Sequence, residues 1–81
     1  MDNVLYNAMY RFWMDDCSCN SRVVNILTKR LDASGIHTFE ELCRKSEAEI
    51  SSLPLVGPET LRFLHRFMRH QYLMFRGALV N

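Results

Sequence analysis

The chain has 81 residues, of which 48% are hydrophobic and 23% charged, and a formal net charge of +1. That length makes one domain burying about 60–65% of its unfolded surface, and that composition is globular rather than disordered. No apolar run reaches the roughly 18 residues of a membrane span, no basic flank and apolar core follow Asp2 as a signal peptide requires, and three cysteines cannot all pair within one chain, so a cytoplasmic protein with reduced thiols is expected.

In chain order, Val4, Leu5, Ala8, Met9, Phe12 and Trp13 recur at helical spacing and predict an amphipathic helix over residues 3–14. Asp15 to Asn20 reads as a polar linker, so residues 1–20 form an N-terminal helix and linker ahead of a main unit over 21–81. Cys17-x-Cys19 lacks the C-x₂₋₄-C spacing usual for zinc, and His65 and His70 are five apart on a helix, so no metal or other cofactor is expected. Ser21 is a candidate N-cap for a helix from Arg22 to Ala33 that ends near Gly35, with Val24, Leu27 and Leu31 as its core stripe. On the other side Arg22, Asn25 and Lys29 fall at i, i+3 and i+7 and share one polar face. That face is a solvated surface or a nucleic-acid contact, because Arg and Asn offer planar, multi-donor groups that phosphates and base edges accept.

Two serine/threonine-to-glutamate boxes follow, Thr38-Phe39-Glu40-Glu41 and Ser46-Glu47-Ala48-Glu49, each predicting the start of a short helix. Leu53-Pro54-Leu55-Val56-Gly57 is then a hairpin turn, and Pro58 is suited to the first position of the next helix. The pattern predicts an all-α, compact bundle of four to five helices containing a helix-hairpin-helix. The last helix is expected from Pro58 to about Phe75, ended by Gly77, with one apolar stripe of Leu61, Leu64, Met68, Tyr72 and Phe75 and a second of Phe63, Phe67 and Met74. Leu53, Val56, Leu61 and Leu64 are expected in the core. The first and last helices are expected to pack through Phe12, Trp13, Phe67 and Met74, within one chain or across a symmetric homodimer. Beyond that helix, residues 78–81 are expected to be loose.

Charge is unevenly spread. Residues 1–20 set Arg11 against Asp2, Asp15 and Asp16, residues 21–57 are balanced, and residues 58–81 set Arg62, Arg66, Arg69 and Arg76 against Glu59. A basic end permits phosphate binding. No Ser/His/Asp or Cys/His arrangement and no glycine-rich phosphate loop accompanies it, so an enzyme is not expected.

The order Ser21-Arg22-Val23-Val24-Asn25-Ile26-Leu27, Gly35-Ile36-His37-Thr38-Phe39-Glu40-Glu41-Leu42, Ser46-Glu47 and Leu53-Pro54-Leu55-Val56-Gly57 resembles the C-terminal domain of the bacterial RNA polymerase α subunit. The resemblance covers about Ser21 to Met68. It implies a helix-hairpin-helix fold that binds the minor groove of A/T-rich promoter DNA and contacts RNA polymerase or transcription regulators. Residue by residue, Arg22 looks like the groove arginine, Asn25 like its polar neighbour, and Gly57 and Thr60 like hairpin residues that meet phosphate. The Leu27–Leu42 spacing is about four residues longer than the family's, and Glu59 stands where the family has a lysine. The resulting expectation is a DNA-binding module of the transcription apparatus, contacting DNA through Arg22, Asn25, Lys29, Gly57 and Thr60. The alternative is a protein-interaction module or dimeric adaptor of the same fold.

Overall fold

The computed structural model describes residues 3–16 and 19–78. Among them the chain forms five helices and no strand: α1 Val4–Asp16, α2 Ser21–Ala33, α3 Phe39–Cys43, α4 Glu47–Ser51 and α5 Pro58–His70. Three are long and two are single short turns, which is the all-α bundle expected. The expected loose end at residues 79–81, and Cys17, lie outside the described residues.

Local chemistry sets the boundaries. Asn3 starts α1 by accepting the Tyr6 N–H at 2.9 Å. The helix runs to Asp16, two residues past the predicted end, and Asp16 there accepts Arg66 Nε at 3.3 Å. At α2 the cap is Asn20 and not Ser21. Its side chain accepts the Arg22 N–H at 2.9 Å, so Ser21 becomes the first helical residue. The helix ends with Gly35 at φ +77, the Gly35 N–H bonding Asp32 O and the Ile36 N–H bonding Leu31 O. This paired ending needs a left-handed residue, which glycine adopts without a Cβ penalty. It drops Ile36, 2% exposed, back into the core.

Helices of five residues are far too short to persist alone. Both α3 and α4 carry the predicted reciprocal box: Thr38 accepts the Glu41 N–H while Glu41 accepts that of Thr38, and Ser46 and Glu49 do the same. Glu41 also accepts the His37 N–H at 2.8 Å, and Glu49 also accepts Arg76 Nη2 at 2.5 Å. Backbone hydrogen bonds, first of all, hold both carboxyls below the usual glutamate range. A folded-state value below the unfolded one contributes stability that is present above the unfolded pKa and disappears as pH falls through the folded value. Thermal melts should therefore show the midpoint dropping once pH falls below about 4.3. Glu41→Gln with Glu49→Gln, which keeps box geometry, should flatten that acid limb. Acid limbs of equal steepness would show that these two carboxylates do not set it.

The last helix differs from expectation in length and in face. It stops at His70 because Tyr72 turns left-handed at φ +59, with the Tyr72 N–H bonding Arg69 O and the Leu73 N–H bonding Met68 O. The reversal returns Phe75, 6% exposed, to the helix, where its ring lies 5.5 Å from that of His65. Gly77 belongs to the turn beyond. Thr60, Phe63, Leu64, Phe67 and Met68 are buried, a single i, i+3, i+4, i+7, i+8 seam in place of two stripes. Leu61 and Leu53 only flank the core, Met74 is 50% exposed, and Tyr72 is 94% exposed.

Packing centres on α2 against α5, with α1 laid across both. Phe12 of α1 meets Phe63 and Phe67 of α5 at ring separations of 5.7 and 5.8 Å, so the chain covers these aromatics itself. Phe39 of α3 stacks on Phe67 as well, at 6.4 Å. The radius of gyration is 11.7 Å, against about 12 Å for a compact chain of this length. None of the described helices is long and apolar enough to cross a membrane.

Candidate nucleic-acid interface

The buried side of α2 is set by Val23, Val24, Leu27, Thr28 and Leu31. The same periodicity turns Arg22, Asn25 and Lys29 outward, and all three are exposed. Neither Arg22 nor Lys29 makes an ion pair among the described residues. Asn25 is engaged on one side: its Oδ1 accepts the Tyr10 hydroxyl, which also lies 3.5 Å from Thr28 Oγ1. The Asn25 amide keeps its two N–H donors for another acceptor. Tyr10 thus fixes the orientation of the middle member of the stripe, a role the sequence reading missed. The signal available was a tyrosine beside the α1 apolar stripe, whose ring can pack while its hydroxyl reaches a polar partner.

The second predicted element is the start of α5. Gly57 is its N-cap, with extended backbone at φ −109 and ψ −171, and no side chain caps the first turn. Pro58 has no N–H to leave unmade, so the first-turn donors are those of Glu59 and Thr60. Nothing lies within 4 Å of a Cβ placed on Gly57, so the space beside the cap residue itself is open. Thr60 does not fit the role expected of it. It is 5% exposed and sits in the α5 seam, which leaves almost none of it to an external phosphate. Glu59 is exposed in that same first turn, where the helix dipole favours a carboxylate.

Cys19, just ahead of α2, has its thiol pushed up chiefly by burial, and its surroundings include the charges of Arg66, Asp16 and Glu59. The Trp13 indole closes this corner by donating to Cys19 O at 2.8 Å. Arg66 pairs with Asp16 at 3.3 Å, whereas Arg62 and Arg69 stay exposed. At the opposite edge of α1 the Tyr6 hydroxyl donates to Ile36 O, and burial first, then the charges of Asp32 and Glu41, raise its pKa to about 12. Among the described residues no three His, Cys, Asp or Glu side chains converge as metal ligands, and Cys17 lies outside them.

The chain matches no protein-family description, no curated protein and no solved structure.

Proposed function

We propose that this protein is a DNA-binding module of the transcription apparatus, similar to the C-terminal domain of the bacterial RNA polymerase α subunit and acting in the cytoplasm. The observation that carries the reading is the exposed stripe of Arg22, Asn25 and Lys29 on α2, both its cations without ion-pair partners among the described residues. Two short helices, a tight turn and a long helix in succession also suit a helix-hairpin-helix. In this reading Arg22 enters an A/T-rich minor groove, where narrowing enhances the negative potential. Asn25 offers donors beside it, Lys29 meets the backbone, and the free N–H of Glu59 at the start of α5 receives a phosphate.

The test is a titration of A/T-rich and G/C-rich duplexes at two salt concentrations. With about three phosphates neutralised, log K should fall against log salt with a slope of roughly −2 to −3, and the A/T duplex should bind more tightly. No binding at low salt would remove the DNA reading.

A protein-interaction module is the second reading, favoured by one observation. Tyr72, 94% exposed, and Met74, 50% exposed, leave aromatic and thioether surface on the segment after α5. In that reading the occupant is RNA polymerase, a regulator or a second copy of this chain.

A further inference from the structure

The segment after α5 folds back on the body as a hook. Tyr72 reverses the chain at φ +59, with its own side chain 94% exposed. Beyond the reversal Phe75 is buried, its ring edge-on to that of His65 at 5.5 Å, and His65 Nε2 lies 3.3 Å from Glu47 Oε2. The Arg76 N–H donates to Lys45 O at 2.9 Å, and Arg76 Nη2 donates to Glu49 Oε1 at 2.5 Å. The hook thus docks on Lys45, on Glu49 of α4 and on His65 of α5, none of which belongs to the reversal itself.

The reversal is the weak link between hook and body. A left-handed residue other than glycine sets its Cβ against the following carbonyl oxygen, and a ring left in water does nothing to offset that. The sequence does not demand the reversal. Gln71 to Arg76 contains no glycine or proline, and Phe75 stands seven residues after Met68, in the register of the α5 seam. The same residues can therefore continue α5 straight to Gly77, which relieves Tyr72 and draws Phe75 and Arg76 off their own body. A lone chain that straightened would leave Phe75 in water and its seat empty, so a lone chain keeps the hook. Two chains are not bound by that constraint.

We infer that two copies of this chain exchange these hooks, each α5 running straight past His70 and seating its Phe75 and Arg76 on the other copy. The occupant of the seat is fixed by what already fills it. A second copy presents the same ring to His65, the same N–H to Lys45 O and the same guanidinium to Glu49. Every docking contact is kept and only the hinge changes, so strain at the hinge favours exchange and concentration sets its extent. Because the exchange is reciprocal, it closes on a two-fold pair and does not propagate. The inference goes beyond the DNA reading and does not depend on it.

Sedimentation velocity on the full chain over a range of concentrations measures the equilibrium, and variants at residue 72 test the hinge. Both variants should fold, since that side chain is exposed. Tyr72→Gly removes the left-handed cost and weakens a straight helix, roughly tenfold at each of two hinges, so the dimer dissociation constant should rise about a hundredfold. Tyr72→Ala keeps that cost and favours the helix, so the dimer should tighten a few-fold. A dimer held instead by the exposed Tyr72 ring would loosen. Exchange itself is read with Lys45→Cys plus Arg76→Cys, in a background carrying Cys17→Ser, Cys19→Ser and Cys43→Ser. The backbone hydrogen bond between residues 45 and 76 brings these positions within disulfide reach. After oxidation, dimer fractions should run as covalent dimers on a denaturing, non-reducing gel, and monomer fractions as single chains with an internal link. Dimers whose chains separate on that gel overturn the exchange. So does an order of affinity other than Tyr72→Ala, parent, Tyr72→Gly, or a parent and Tyr72→Ala that both stay monomeric up to about 1 mM.

Discussion

Phe67→Ala should lower stability by about 3–5 kcal/mol, the range for a large aromatic removed from a core. Phe67 is fully buried at the crossing of three elements: Phe12 of α1 lies 5.8 Å from its ring, Phe39 of α3 stacks on it at 6.4 Å, and its own helix is α5. Truncation leaves a void that neighbours on separate elements cannot jointly close. A domain of this size has a stability of the order of 5–10 kcal/mol, so the variant should melt about 15–30 °C lower. Leu61→Ala is the internal control, because Leu61 only flanks the seam, and should cost about 1–2 kcal/mol. Thermal unfolding followed by far-ultraviolet circular dichroism measures both. Equal losses for the two substitutions would place the core elsewhere.

The second large effect concerns charge. Arg22→Ala should leave folding stability unchanged within about 0.5 kcal/mol, since its side chain is exposed and makes no ion pair among the described residues. The same change should abolish A/T preference and weaken duplex binding by a factor of the order of ten to a hundred, the loss of one or two good contacts. Glu59→Lys should act in two directions. It removes a carboxylate from the first turn of α5, which the dipole makes worth about 0.3–1 kcal/mol of folding stability. It also places a cation beside the proposed phosphate, so binding should strengthen and the salt slope should steepen by about 0.9. A titration and a melt on each variant separate the two effects. Weaker binding by Glu59→Lys would mean that this helix start does not face phosphate.

Where backbone chemistry is local, the sequence was readable. Thr38 with Glu41 and Ser46 with Glu49 form their boxes because a box needs only four consecutive residues, and Gly35 ends α2 for the same reason. The misreadings arise where a nearby residue has equal local credentials. Asn20 and Ser21 are both good caps, and the earlier one took the position. The apolar members of the α5 seam, Phe63, Leu64, Phe67 and Met68, were legible but fell into two stripes, and Thr60 reads as polar and Leu61 as core until the helix is seated on α2. The end at His70 relies on a left-handed tyrosine, which no propensity favours, to return Phe75 to the helix. At the candidate site the Arg22, Asn25 and Lys29 stripe follows from spacing alone. The Tyr10 bond to Asn25 spans fifteen residues, a separation that no local rule covers.

The ion pairs and caps carry one more consequence, for the electric field outside the molecule. Asp16, Asp32, Glu40, Glu41, Glu47 and Glu49 each lie against an arginine, a histidine or a capped backbone. A carboxylate beside a cation forms a short dipole, whose reach decays faster than that of a lone charge. Arg22, Lys29, Arg62 and Arg69 have no such partner among the described residues, so their fields reach further than those of the pairs before salt screens them over about a Debye length. A polyanion at that range therefore meets a lopsided molecule, far more attractive on some approaches than its single net charge implies.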